Sequence, residues 1–318
     1  MPSVEHSPES STSSSTKSCP LTRPTLESAA RKHPQIAQLR TIGVSREGPA
    51  AAGAEDRQLE EGGHQAGRLD RRRESRARVA GLPPVRLLHR PPPLELRPDM
   101  NRITSYVDEL NIYVFPVLNP DGFVFSKTSP KDSVRQWRKN RAPMNCSGYT
   151  NFKKIPTCCE GVDLNRNWDV AFSQSNYPFN NPCSDEYQGP FSVQVASIPE
   201  PETRAVRDFL LSPEINGRVA ALVSLHTHGQ FFILPYNYAR KTYPDDYQDL
   251  KNMGPATGGM IDWTKQNTQI KYVYVVELPP PLTTFFAFQM KSHWLLPTAK
   301  ETWSGMEVII RQVVHEFA

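Results

Sequence analysis

Between Gly43 and Asp99 the chain has no Phe, Trp, Tyr, Ile, Lys, Asn, Thr, Met or Cys, while Arg, Pro, Ala, Gly, Leu and Glu crowd the stretch. A segment so poor in core-forming side chains cannot bury enough apolar surface to offset its ordering entropy, so residues 49–98 are expected to be low-complexity and disordered. No apolar run approaches membrane-spanning length, and the start, MPSVEHSPESSTSSSTKS, lacks both the charged and the apolar region of a signal peptide. Neither a membrane protein nor a recognisable export signal is therefore expected. Cysteine is also scarce, five in 318 residues, yet four fall between Cys146 and Cys183. That clustering suggests an oxidising compartment, and a lost or misread N-terminus would reconcile it with the missing signal.

The 38% of hydrophobic residues lie mostly elsewhere, and arginines of the low-complexity stretch contribute much of the net charge of +4. Residues 1–25 read as a Ser/Thr-rich disordered tail, residues 26–48 regain helix-like and then strand-like patterning, and residues 99–318 read as one continuous globular domain. Apolar runs at Leu110–Leu118, Ala220–Leu225 and Tyr272–Leu278 have the length and the β-branched or aromatic content of buried strands. Glu202–Leu211 and Thr298–Phe317 predict helices, the second opening on the capping-box pattern TAKE. Alternation of the two kinds argues for an α/β protein with a mixed sheet covered on both sides.

Six segments carry chemistry: NPDGF from Asn119, RQWRKNR from Arg135, GVDLNRNWDVAF from Gly161, SLHTHGQ from Ser224, GGMIDW from Gly258 and VVEL from Val275. In that order and at roughly those gaps they resemble the zinc carboxypeptidases of the carboxypeptidase A type, peptidase family M14. The resemblance implies an αβα sandwich around a mostly eight-stranded mixed sheet, one Zn2+ ion, peptide or protein C-termini as partners, and a secreted monomer. A planar guanidinium beside an amide suits a free peptide carboxylate, and Asn165 with Arg166 matches the family's carboxylate-binding pair. Arg138 matches the arginine that polarises the scissile carbonyl; Lys139 and Arg141 read as a solvated basic turn. His226, ending a buried strand, matches the third zinc ligand, and His228 is not expected to ligate. Glu277 closes an otherwise apolar strand, where a raised pKa would suit a general base, and it matches the family's catalytic glutamate. Ile261 matches the floor of the specificity pocket and implies apolar or aromatic C-terminal residues, with Asp262 facing away. The resemblance further pairs Cys159 with Cys183 and Cys146 with Cys158, leaving Cys19 free.

The family takes its first two zinc ligands from an H-x-x-E-W segment, which this chain does not contain. The one literal H-x-x-E, His6 to Glu9, holds a proline in a Ser-rich tail, and His64 and His89 have no carboxylate at the right offset. Permitted codons for RLDRRRESRARVAG, Arg68 to Gly81, reread one base later as VWIDAGNHAREWLA, which holds the missing H-A-R-E-W, and GPAAAGAEDRQ from Gly48 rereads as the strand-like GPLLLGLKIG. A displaced reading frame across residues 49–98 is thus an expectation of the sequence. Gly254 also stands where the family has a substrate-capping tyrosine, and the stretch from Tyr238 to Gly254 is short for the family; loss of an internal segment is the expectation, with substitution by Tyr243 or Tyr247 as the alternative. Two rivals to a metallocarboxypeptidase remain: a non-catalytic binder of peptide C-termini, and, lowest, nucleic-acid binding by the arginine-rich stretch, which lacks interleaved aromatics.

Overall fold

Five consecutive residues of β5 (Val219–Gly229), Val219 to Val223, are buried, as a strand covered on both faces requires. A computed structural model describes residues 23–34, 36–48, 78–80, 100–150, 153–172, 177–190, 200–238, 257–281, 283 and 292–317. Its main sheet runs β2 (Asn111–Tyr113), β1 (Arg78–Ala80), β5, β7 (Tyr272–Pro281), β6 (Phe231–Ile233). The first four are parallel and β6 is antiparallel to β7, which makes the sheet mixed. This sheet has five strands among the described residues, against the eight the resemblance implies.

One face of the sheet packs Leu222 and Val273 in one cluster with Phe209 of α4 (Pro201–Leu211), Ile261 of α5 (Met260–Asn267) and Trp168. The other packs Ala221 against Tyr106 of α2 (Met100–Glu109) and Ile310 and Val313 of α6 (Leu295–Phe317). Helices on both faces make the layered αβα architecture that alternating strand and helix patterns predict. Among the described residues no helix is long and apolar enough to cross a membrane.

Several boundaries differ from those read in the sequence. The run Leu110–Leu118 pairs only over Asn111–Tyr113, and its continuation includes Pro116, which has no N–H to give a ladder. Helix α6 begins at Leu295, so TAKE lies inside it and Thr298 is not its cap. No strand forms in residues 36–48; after α1 (Arg23–Lys32) the chain offers one isolated bridge, Ser45 to Gly48. That turn is nonetheless tied to the rest. Ser45 Oγ donates to Asp121 Oδ1 at 2.8 Å, Arg46 N donates to Glu202 Oε1 at 3.0 Å, and Arg46 Nε donates to Glu200 Oε2 at 2.9 Å.

A separate antiparallel ribbon joins β3 (Asn145–Tyr149) to β4 (Pro156–Cys159). Disulfides link Cys146 to Cys158 across it and Cys159 to Cys183 beyond it. Cys19 lies outside the described residues.

Candidate active site

Register between β5 and β7 sets His226 directly beside Glu277, toward the carboxyl ends of parallel strands where open α/β sheets gather their ligands. Ser224 Oγ lies 3.0 Å from His226 Nε2. Burial, aided by the Arg138 charge, lowers the His226 pKa to about 4, so the ring is neutral at pH 7 with a nitrogen lone pair to offer. Burial also raises Glu277 to about 7, against the opposing charges of Arg138 and Arg166, and its Oε2 has no partner among the described residues. A carboxyl in that state can take or give a proton near neutrality.

Arg138 is placed by the NPDGF segment. Asn119 caps α3 (Pro120–Thr128) by accepting from Gly122 N at 3.1 Å, and Pro120 follows at the position where a missing N–H is harmless. The same side chain donates to the carbonyls of Arg138 and Lys139 at 3.1 and 3.0 Å. A Cβ on Gly122 would collide with Lys139 O, so the glycine is needed for this approach. Arg138 Nε then donates to Asp163 Oδ2 at 2.7 Å, and that carboxylate is the foremost cause of its raised pKa.

The neighbouring basic residues are not a solvated turn. Lys139 is buried and donates to Pro182 O at 2.8 Å, with burial lowering its pKa; Arg141 stacks 3.8 Å over the Phe125 ring and pairs with Glu47 and Glu160. Local composition could not reveal this, because Pro182 lies 43 residues along the chain.

Asp163 also organises the Asn-Arg pair. Its Oδ1 accepts from Asn165 N at 3.0 Å, capping the 3₁₀ turn Leu164–Arg166. Asn165 Oδ1 in turn accepts from Met260 N at 3.0 Å at the start of α5. The oxygen of that amide is thus occupied, and its Nδ2 retains two donors. Gly258 has φ +69, and a Cβ there would strike Arg166 O; Trp168 N donates to Gly258 O at 3.1 Å and Gly258 N to Val170 O at 3.0 Å. Gly258 therefore lets α5 start against the NRNWD segment. Asp163 is not among the residues singled out from the sequence, although an aspartate immediately before a turn, accepting from the N–H two residues on, is a readable capping signal.

Arg138, Asp163, Asn165 and His226 line one cavity of about 550 Å³ with an apolar wall that includes Phe115 and Leu222. Arg166, Ile261 and Glu277 are not in that lining. Arg166 is directed to Glu186, Ile261 is buried in the main core, and Asp262, expected to face away as on a strand, is a fully buried residue of a helix. Tyr243, Tyr247 and Gly254 lie outside the described residues, as do His6, His64 and His89.

A catalytic zinc takes three protein ligands and a water. Among the described residues no group of three or more His, Cys, Asp or Glu could hold a metal ion, so the described residues do not by themselves fit a zinc site, and His226 stands there without a second ligand.

Fold and site together define an α/β protein with a largely apolar pocket at the carboxyl ends of its central strands, furnished with an amide, an arginine and a neutral histidine. The zinc carboxypeptidase family profile matches residues 97–256, a span that takes in Arg138, Asn165, Arg166 and His226. The chain belongs to that family. Carboxypeptidase A2 of Rattus norvegicus is 36% identical over 236 residues, covering 66% of this chain and 50% of that protein. Carboxypeptidase A1 of Homo sapiens is 31% identical over 236 residues, covering 67% and 50%. The chain thus spans about half the length of the relatives it matches. Among solved structures, bovine thrombin-activatable fibrinolysis inhibitor in complex with tick carboxypeptidase inhibitor shares the fold at a TM-score of 0.64 and 21% identity, over 92% of this chain and 95% of that one. Carboxypeptidase A from Helicoverpa armigera does so at 0.61 and 22%, over 92% and 72%.

Proposed function

We propose that this chain recognises the free C-terminus of peptides ending in an apolar or aromatic residue, and that it is a metallocarboxypeptidase whose metal-binding half this reading frame does not encode. The observation that carries the reading is the Asn165 amide, whose oxygen is held by Met260 N and whose nitrogen remains to donate to a carboxylate at the cavity. Arg166 supplies the matching charge. Arg138, which Asp163 keeps cationic, would polarise the carbonyl of the last peptide bond. Glu277, with its pKa near 7, holds the proton that hydrolysis would move. His226 supplies one metal ligand, and the sequence lacks the partner histidine and glutamate in any workable H-x-x-E. The alternative reading, which the missing H-x-x-E partner favours, is a non-catalytic binder of peptide C-termini. Its two disulfides suit a secreted protein, acting as a monomer on peptide or protein C-termini.

Calorimetry with N-acetyl-Gly-Phe and its C-terminal amide tests this. The free acid should bind at least about tenfold more tightly, and Asn165→Ala or Arg166→Ala should remove most of that preference, since a hydrogen bond to a charged group contributes about 1.5–3 kcal/mol. Equal affinity for acid and amide in the wild type would refute the reading.

A further inference from the structure

The arginine that should receive a peptide carboxylate already holds one. Arg166 Nε and Nη2 lie 3.2 and 2.9 Å from the same oxygen, Oε2 of Glu186, and Nη1 donates to Asn165 O at 3.0 Å. Its guanidinium also sits 5.6 Å over the Phe179 ring. The pair is asymmetric in exposure: the Arg166 side chain is 14% accessible and that of Glu186 is 41%. Arginine is the anchored partner and glutamate the one able to swing out. The glutamate's backbone stays close by, because Glu186 N donates to Ser184 Oγ at 3.1 Å and Cys183 is bound to Cys159.

We infer that Glu186 is an internal occupant of the carboxylate-binding arginine, and that it sets how tightly and how selectively the site takes a free peptide C-terminus. This rests on the function proposed above and goes beyond it, because no role for Glu186 follows from recognition by Asn165 and Arg166 alone. A peptide carboxylate must displace Glu186 from two donors, or share Arg166 with it at the cost of like-charge repulsion. An amidated C-terminus carries no charge to compete. The contact therefore lowers affinity for free C-termini while keeping Arg166 in place between ligands.

The test compares wild type, Glu186→Gln and Glu186→Ala with N-acetyl-Gly-Phe and its amide, with thermal melting to check the fold. Both variants should bind the free acid about three- to fivefold more tightly, the size of a partly exposed ion pair, with the amide unchanged. If wild type prefers the acid and the variants bind it equally or more weakly, Glu186 supports Arg166 rather than occupying it; the inference then fails while the proposed function stands. If the preference appears only in the variants, the inference holds and recognition by the unaltered chain fails. If it appears in none of them, both fail.

Discussion

Asp262 is the residue whose burial has the plainest thermodynamic consequence. Its Oδ1 accepts from Asn237 N at 2.8 Å, its Oδ2 has no partner among the described residues, and burial raises its pKa to about 7. An unfolded aspartate releases its proton near pH 4, so between about pH 4 and 7 the native state binds more protons than the unfolded one, and this group's contribution to stability falls as pH rises. Asp262→Asn keeps an acceptor for Asn237 N and has no charge to bury. Denaturant titrations should show the variant gaining on wild type across that window, by a few kcal/mol, with no further gain above it. A stability difference that stays flat from pH 4 to 7 would show that Asp262 is ionised in the folded protein.

At the scale of elements, the site depends on contacts between segments far apart in sequence, and Asn119 is the clearest case. It caps α3 and holds the carbonyls of Arg138 and Lys139 with one amide. Asn119→Ala should cost about 2–3 kcal/mol, a cap of ~1 kcal/mol plus lost hydrogen bonds of similar size each. A loss below about 0.5 kcal/mol would mean that α3 and the Arg138 segment are held by other contacts. The ribbon of β3 and β4 depends on covalent ties instead. Peptide mapping without reduction should recover Cys146 joined to Cys158 and Cys159 joined to Cys183. Breaking the second bridge, which closes a separation of 24 residues, should cost about 3 kcal/mol; recovery of Cys158 joined to Cys183 would overturn the assignment.

At the scale of the whole molecule, a reading frame displaced by one base across residues 49–98, as expected from the sequence, makes a testable prediction. The position between β2 and β5 is taken by the three residues Arg78–Ala80. A one-base shift would replace the arginine-rich stretch with the apolar VWIDAG and put H-A-R-E-W one residue after it. Polypeptide made in the shifted frame across residues 49–98 should bind zinc stoichiometrically and gain stability, whereas the unshifted chain should purify with little zinc and leave a blocked dipeptide ending in Phe intact. Chelator-sensitive cleavage by the unshifted chain would reveal a ligand set outside the described residues.

What the sequence determined by itself was what local pattern encodes. The αβα class followed from apolar runs such as those of β5 and β7 alternating with helical stretches, and His226 and Glu277 could be picked out because each interrupts the apolar end of such a run. The absence of an H-x-x-E partner for His226 was equally legible. Tertiary structure alone decided where the basic side chains go. Lys139 finds a carbonyl 43 residues away, Arg138 finds Asp163 25 residues away, and Arg166 finds Glu186 20 residues away. Charge and hydropathy along the chain cannot express those pairings. They depend on loops being brought together by the ribbon, by the cap at Asn119 and by the close approach at Gly258, and those contacts decide which carboxylate or carbonyl each basic side chain engages.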